Sequence, residues 1–267
     1  MAKEWRKWGA WCLALNAPLS GWAVTCDSNV GSTTLPAGDS FLVAANRNCT
    51  VSVTATPSAS SQTTSFQFNP GSVTQSSLKS GDDFLTVMDG SATTNNMSVK
   101  IKHDAVVRGD IRGSQGSNAI TIHNGELDGR YDADAGNSSI TVSGETGRLN
   151  AGVWTLLNTT GTTTYTVEEG ARVAGGFHGG DGNDTLVVDS ATFYGGFESG
   201  QGTDTITVQN GGFFHGNVRG TYGSANSAIT VNLTGSEWVG DIIASDNSNT
   251  VNLHSGNWIG DTDGSSA

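Results

Sequence analysis

The chain has 267 residues, of which 37 are glycine and only 14% are charged, and its formal net charge is −12. The low share of charged residues excludes a coiled coil or a helical bundle rich in Ala, Leu, Glu and Lys, and the many β-branched residues argue against a disordered chain. The negative charge disfavours binding to nucleic acid or to anionic lipid.

Residues 1–23 have the pattern of a secretory signal peptide. The basic residues Lys3, Arg6 and Lys7 precede a short apolar stretch, and Gly21-Trp22-Ala23 offers a small-x-small cleavage site. An amphipathic first helix is the alternative. No other stretch is long and apolar enough for a membrane-spanning helix. Cleavage would remove three basic residues and one acidic residue, lowering the net charge from −12 to −14. We therefore expect an exported protein, located in the periplasm, at the cell surface or outside the cell.

Two cysteines remain after this cleavage, Cys26 and Cys49. An even pair close to the new N-terminus suits an oxidising compartment and predicts a Cys26–Cys49 disulfide, with two unrelated thiols as the alternative. Residues 24–80 contain this pair and three of the four prolines. Their short strands fit a regular repeat poorly, so we expect an N-terminal cap and the first coils of a larger repeat structure.

Residues 81–267 repeat with a period of about 20 residues, which is typical of a solenoid. The sequence Thr230-Val231-Asn232-Leu233 recurs as Thr250-Val251-Asn252-Leu253, and Ala119-Ile120-Thr121-Ile122 recurs as Ser139-Ile140-Thr141-Val142. Like residues that recur at a fixed offset stack on themselves in successive coils. The sequence therefore predicts an all-β, right-handed parallel β-helix (a β-solenoid) with about 20 residues per coil, open at its C-terminal end. A β-sandwich would also have many short strands, but it has no reason to repeat chemically at one offset.

The same offset predicts ladders of like side chains. One apolar ladder would contain Val173, Phe193 and Phe213, and a second would contain Trp238 and Trp258. Between them the offset slips to 23, from Thr207 to Thr230, with the extra residues placed near 221–226. The outer ladders, read either as a binding face or as simple β-propensity, are Thr185/Thr205, Thr230/Thr250 and Asn232/Asn252.

One segment matches a calcium-binding nonapeptide. Residues 179–187, GGDGNDTLV, fit the GGxGxDxUx pattern, which makes Asp181 and Asp184 weak calcium candidates. The next nine residues do not fit the pattern. A Gly/Asn/Asp turn between coils is therefore favoured, and no cofactor is expected, with calcium kept as the alternative.

Catalytic patterns are sparse. His103 and His123 are one repeat apart and could stack, although outward strand ends suit them better, and Asp82-Asp83 suits a turn better than a carboxylate pair. No GxSxG elbow occurs. Polysaccharide lyases and hydrolases with a β-helix fold need Asp clustered with Asp, Arg or Lys on one face, whereas the basic residues here look scattered. We predict no catalytic residues and no enzyme.

A signal peptide, an early cysteine pair and Gly/Asn/Thr-rich coils of this length resemble the passenger domains of autotransporters. These are the type V secreted proteins of Gram-negative bacteria, and the resemblance is especially to the pertactin-like and AIDA-like adhesins. The resemblance implies surface adhesion to a host ligand or glycan, or self-association, and an outer-membrane parent protein with a C-terminal β-barrel. The alternatives are a secreted carbohydrate-active β-helix enzyme and a structural stalk.

Overall fold

Alternation of apolar with small polar residues determines the strands. Asn96–Ile101, for example, alternates half-buried Asn96 and Ser98 with buried Met97 and Val99, as expected for a strand with one face in the core. The computed structural model describes residues 23–26, 31–36, 38–56, 62–76, 79–80, 83–84, 86–154, 160–220, 227–243 and 249–263. These residues form an all-β, parallel β-solenoid of about nine turns with about 21 residues per turn. The predicted fold class is confirmed.

Thirty-one strands follow one another in the described residues. The first nine are β1 (Ala23–Cys26), β2 (Gly31–Leu35), β3 (Ser40–Val43), β4 (Asn48–Ala55), β5 (Thr63–Phe68), β6 (Val73–Gln75), β7 (Lys79–Ser80), β8 (Asp83–Phe84) and β9 (Met88–Asp89). The next twelve are β10 (Asn96–Ile101), β11 (Val106–Arg108), β12 (Ile111–Arg112), β13 (Asn118–His123), β14 (Glu126–Asp128), β15 (Tyr131–Asp132), β16 (Ser138–Ser143), β17 (Arg148–Leu149), β18 (Val153–Trp154), β19 (Thr163–Glu168), β20 (Arg172–Ala174) and β21 (Phe177–His178). The last ten are β22 (Thr185–Asp189), β23 (Thr192–Tyr194), β24 (Phe197–Glu198), β25 (Gly202–Gln209), β26 (Phe213–His215), β27 (Val218–Arg219), β28 (Ser227–Val239), β29 (Ile242–Ile243), β30 (Thr250–Ile259) and β31 (Thr262–Asp263).

Three faces run along the solenoid. Face 1 contains β1, β3, β5, β10, β13, β16, β19, β22, β25 and the first parts of β28 and β30. Face 2 contains the start of β4, then β6, β11, β14, β17, β20, β23, β26 and the second parts of β28 and β30. Face 3 contains β2, the end of β4, β9, β12, β15, β18, β21, β24, β27, β29 and β31. Only β7 and β8, within the described residues, pair antiparallel, as a ribbon outside these faces.

The predicted register is confirmed where coil length is constant. Ile120 pairs with Ile140, Leu186 pairs with Ile206, and Thr230 pairs with Thr250, all at an offset of 20. The register at Thr207 was predicted wrongly. Thr207 pairs with Asn232 rather than Thr230, so the offset there is 25 rather than 23. The offset is 21 at Arg219 and 25 at Ser227. The added residues therefore lie between these two positions, in the stretch that includes 221–226, which is outside the described residues.

The apolar ladder on face 2 also differs from its prediction. Phe193 pairs with Phe214, and Thr192 pairs with Phe213, so Phe213 points outwards. The corner before β26 contains one residue more than the corner before β23, and Gly211 with φ +78 lies in it. An extra residue in a corner shifts the strand that follows by one position and exchanges its two faces. The inner ladder therefore consists of Leu127, Leu149, Val173, Phe193, Phe214, Trp238 and Trp258.

Corners between faces 1 and 2 need a residue in the left-handed region. Asp104 (φ 56°), Asn124 (φ 50°) and Asn210 (φ 54°) adopt it in three of the turns. Asn and Asp tolerate this conformation better than other non-glycine residues. At the corner between faces 2 and 3 the backbones themselves meet, since a Cβ added to Gly216 would strike the carbonyl of Gly195. The Gly and Asn content of the repeat thus follows from the corners.

The interior is a set of stacked apolar columns. Phe193 and Phe214 are stacked with ring centroids 5.4 Å apart, and the indoles of Trp238 and Trp258 are stacked at 5.2 Å and 15°. The prediction that these tryptophans stack is confirmed. Trp238 is fully buried, and its Nε1–H donates to the carbonyl of Gly216 (2.9 Å). A buried indole thus has its polar atom satisfied by the preceding coil.

The strands before residue 80 join the same ladders as those after it. Phe66 of β5 pairs with Val99 of β10, so no break in pairing separates the described parts of residues 24–80 and 81–267. Cys26 and Cys49 are buried and linked by a disulfide, with their Cα atoms 6.0 Å apart. The predicted signal peptide, residues 1–23, lies outside the described residues apart from Ala23. Within the described ranges, we find no helix of a length and hydropathy that would cross a bilayer.

Candidate functional site

The two calcium candidates have different surroundings. Asp181 is half-buried in the corner between faces 3 and 1, whereas Asp184 is only 1% exposed and points inwards. Both oxygens of Asp184 accept backbone hydrogen bonds, Oδ1 from Thr163 N–H (2.7 Å) and Oδ2 from Gly180 N–H (2.9 Å). The Asp184 carboxylate therefore holds the turn of the nonapeptide in place. In the described part of the chain, no group of three or more His, Cys, Asp and Glu side chains is arranged to hold a metal ion.

Chelation is expected to change the melting temperature only slightly, because Asp184 already accepts two backbone hydrogen bonds and calcium takes about 6–8 oxygen ligands. Thermal unfolding with excess chelator, and again after calcium is restored, checks this expectation. A large loss of stability that calcium reverses would instead identify Asp181 and Asp184 as ligands.

A second buried carboxylate lies directly above Asp184. Asp204 is its register neighbour in the next coil and is fully buried, and its Oδ1 accepts a hydrogen bond from Asp184 N–H (2.8 Å). Its Oδ2 makes no hydrogen bond of good geometry among the described residues, although the Ser199 hydroxyl is close enough to the carboxyl group to lower its pKa slightly against the effect of burial. Burial raises the pKa of Asp184 to about 6, and burial together with the charge of Asp184 raises the pKa of Asp204 to about 8. Asp204 is therefore largely protonated at neutral pH.

These aspartates belong to a polar column inside face 1. Asn118, an earlier member of the column, hydrogen-bonds the backbone of the corner between faces 3 and 1 in its own coil. Asn118 Oδ1 accepts from Ser114 N–H (2.9 Å), and Asn118 Nδ2 donates to Ser114 O (2.9 Å). The column contains Asn118, Ser138, Thr163, Asp184 and Asp204. Buried polar groups that hydrogen-bond a turn stabilise that turn. This column is structural, and it offers no water-exposed group for catalysis.

Charged side chains cluster on the outside of face 3, contrary to the expectation that basic residues are scattered. Arg130 Nε lies 2.6 Å from Asp132 Oδ1, and Arg130 Nη2 lies 3.7 Å from Asp110 Oδ2. Arg112 lies between Asp132 (3.7 Å) and Asp89 (3.8 Å). Burial raises the pKa of Asp132, and the Arg130 charge opposes this. We call these five residues the arginine cluster. Every carboxylate in it faces a guanidinium, so its charges largely compensate one another.

Aromatic side chains cluster on the outside of face 2, where sequence analysis predicted none. The Tyr194 ring centroid lies 5.9 Å from those of Phe213 and His215, which are 6.0 Å from each other. Tyr194 is 44% exposed, His215 is exposed and Phe213 is half-buried. We call these three residues the aromatic patch. Ala174 and Val239 flank it in the neighbouring coils.

The outer polar ladders are in the predicted register. Thr185 pairs with Thr205, Thr230 with Thr250, and Asn232 with Asn252, whose Nδ2 donates to Asn232 Oδ1 (2.9 Å). All lie on the outside of face 1. Side chains that bond one another along the solenoid satisfy their own polar atoms, so this surface is ordered but provides fewer free hydrogen-bonding groups.

The two candidate histidines do not stack. Lys102 is in register with His123, so His103 is displaced by one position. His103 Nδ1 instead lies 2.7 Å from Asp104 Oδ2, and His123 Nδ1 lies 2.9 Å from Ser143 Oγ. Both side chains are exposed. His123 is the last residue of β13, as predicted, whereas His103 lies in the turn after β10. Asp82 lies outside the described residues, as does the side chain of Asp83.

Comparisons with known proteins add little. No family model matches the chain, and no curated protein matches it. Among solved structures, it is similar to the crystal structure of the TibC-catalyzed hyper-glycosylated TibA55-350 fragment. That similarity has 15% sequence identity, covers 91% of this chain and 95% of the other, and has a TM-score of 0.21. At that score the similarity carries no argument, and the function of this chain has to be inferred from its own residues.

Proposed function

We propose that this chain is a non-enzymatic, exported β-solenoid of the adhesin type, which attaches one surface to another through its outer face. The observation that carries this proposal is the aromatic patch. Large aromatic side chains are favoured inside a solenoid, and among the side chains that the structure describes Tyr194 is the only exposed one of this kind. Tyrosine is enriched at interaction sites because it combines a large apolar ring with a polar hydroxyl group. Self-association is the other form of this function.

A cell-surface assay tests the function. The full chain would be displayed on non-adherent bacteria, with settling and attachment to epithelial cells measured against cells that display nothing, and sedimentation of the purified chain would measure self-association. We expect faster settling or greater attachment. If settling and attachment equal those of cells that display nothing, and the purified chain sediments as a monomer, the adhesin proposal is wrong.

A carbohydrate-active enzyme is the second candidate, and the arginine cluster favours it. Carboxylates next to arginines on one outer face of a β-helix are the kind of group that cleaves or binds acidic polysaccharides, with one carboxyl of raised pKa as the acid. The charge compensation within the cluster makes it the weaker candidate. Depolymerisation of acidic and neutral polysaccharides by the full chain, lost in Asp132→Asn, would favour the enzyme over the adhesin.

Export itself is testable by mass. We expect the form recovered outside the cytoplasm to begin at Val24 and to contain the Cys26–Cys49 disulfide. Its intact mass should match residues 24–267 less two hydrogens, and alkylation should add two groups only after reduction. A mass that includes residues 1–23, or alkylation without reduction, would contradict this prediction.

A further inference from the structure

The aromatic patch has fixed ring positions, polar atoms available for hydrogen bonds and an open surface. Its rings lie on three-residue strands, β23 and β26, that are hydrogen-bonded in register, so their positions are fixed by the solenoid rather than by a loop. Its polar atoms, Tyr194 Oη and the ring nitrogens of His215, make no hydrogen bond within the part of the chain that the structure describes. It is also open, because the positions that follow in the corner to face 3 are Gly195, Gly196 and Gly216.

Polar side chains border the apolar rings. Phe213 is the register neighbour of Thr192 in the coil before it and of Glu237 in the coil after it. Glu237 is exposed. An aromatic surface next to a hydroxyl, a carboxylate and an imidazole provides a stacking face together with hydrogen-bond donors and acceptors. That combination suits a ligand with one apolar face and a rim of hydroxyl groups.

The size of the patch selects a small ligand over a protein. Two coils are about 4.8 Å apart and alternate side chains on a strand about 6.8 Å apart, so three rings cover an area on the order of 100–200 Å². A stable protein partner needs about 800 Å² on each side. One or two pyranose rings, by contrast, match the patch in both length and width.

The charge of the surroundings selects a neutral ligand. Glu237 is the direct neighbour of Phe213, and Asp241 is exposed in the corner that follows Glu237. The exposed basic side chain on this side, Arg172, lies one coil further away, next to Thr192. The whole chain has a net charge of −12. An acidic sugar such as a sialic or uronic acid would be repelled by these carboxylates, whereas the hydroxyl groups of a neutral sugar can donate to them.

We propose, on the basis of the adhesin function proposed above, that the aromatic patch is a binding site for neutral hexose-containing glycans. Tyr194 stacks against the apolar face of a pyranose ring, Phe213 supports the ring of Tyr194, and His215 and Glu237 hydrogen-bond sugar hydroxyls. The site continues along face 2 towards Val239, in the direction of the solenoid axis.

Binding of the purified full chain to immobilised neutral oligosaccharides, ending in glucose, galactose or mannose, tests the site, with sialylated versions of the same oligosaccharides alongside. We expect Tyr194→Ala to weaken binding by about tenfold or more, which is about 1.4 kcal/mol at 25 °C, and Tyr194→Phe to change it by less than about threefold. Asp128→Ala is the matched control, since it removes an exposed side chain at the same strand position three coils earlier and should bind as the wild type does.

The outcomes separate this inference from the proposed function. Attachment of displaying cells that persists in Tyr194→Ala and is not inhibited by the neutral oligosaccharides overturns the glycan site and leaves the adhesin function standing. Preference for the sialylated oligosaccharides, or unchanged neutral binding in Tyr194→Ala, also overturns it. If the wild type shows no faster settling, no attachment and no self-association, but its neutral binding is lost in Tyr194→Ala, the glycan site stands and the adhesin function is overturned.

Discussion

Trp238→Ala is expected to destabilise the solenoid by about 3–5 kcal/mol, the cost of removing a large aromatic side chain from a core. Trp238 is fully buried between Phe214, with ring centroids 5.8 Å apart, and Trp258 at 5.2 Å. Its loss leaves a cavity that two stacked coils cannot close, because their strands are held apart at the spacing of the ladder. It also removes the hydrogen bond to the Gly216 carbonyl. Trp238→Asp should cost more, since it buries an unpaired charge.

Asp241→Ala is the control for this position. Asp241 is exposed, and its Oδ1 accepts a single hydrogen bond from Asp261 N–H (3.0 Å), so its replacement should cost no more than about 1 kcal/mol. Midpoints of urea unfolding, followed by tryptophan fluorescence and by circular dichroism, measure both variants. Equal midpoints for Trp238→Ala and Asp241→Ala would contradict the stacked interior.

The sequence predicts the solenoid well because identical coils need identical residues. Where the corners have constant length, as between Ile120 and Ile140, the separation in sequence is the offset in space. Corner length is the feature that the sequence predicts poorly. A corner accepts an extra residue at little cost in stability, and the sequence does not show whether that residue lies before or after a given strand. The prediction therefore failed at β26 and at β28, each of which follows a corner of a different length.

The same error assigned the wrong residues to the aromatic patch. At an offset of 20, Phe213 would lie on Phe193 in the core and Phe214 beside Tyr194. At the true offset of 21, Phe213 lies beside Tyr194 on the outside. A shift of one residue exchanges the faces of a strand. The residues that form an aromatic patch on a solenoid can thus be assigned from the sequence only when the length of every corner is known.

The arginine cluster and the buried aspartates both follow the register of the coils. Arg112 is in register with Asp132, and Asp110 precedes Arg130 by 20 residues, so opposite charges one repeat apart were the available signal for the cluster. Asp184 and Asp204 are aligned correctly by an offset of 20, but an Asp before a strand is typical of an exposed turn. Here the polar column from Asn118 onwards already occupies that inward position, and a column of buried polar residues in register was the available signal.

The Asp184–Asp204 pair is expected to make the solenoid less stable as pH rises, which is the opposite of the usual behaviour of carboxylates. Both carboxyl groups have a pKa near 3.8 when unfolded, and folding raises that of Asp184 to about 6 and that of Asp204 to about 8. Between these values the folded state binds more protons than the unfolded state, so the free energy of unfolding falls with increasing pH. The stabilisation that this pair contributes is fully present below about pH 3.8, decreases as pH rises and is lost above about pH 8.

Replacing each aspartate by asparagine separates the titration of Asp204 from the backbone hydrogen bonds that Asp184 accepts. Asp204→Asn keeps the oxygen that accepts from Asp184 N–H and converts the unpartnered Oδ2 into a neutral amide next to Ser199, so it should stabilise the solenoid above pH 7 and flatten the pH profile. Asp184→Asn points an NH₂ group at either Thr163 N–H or Gly180 N–H, which both donate, and should cost about 1–3 kcal/mol. Asp128→Asn removes the same charge from an exposed site and measures general charge repulsion.

Urea midpoints from pH 4.5 to 9 at constant ionic strength give the pH profiles of the wild type and the three variants. A wild-type profile that is flat between pH 5 and 8, or an Asp204→Asn profile as steep as that of the wild type, would show that the buried pair does not hold a proton.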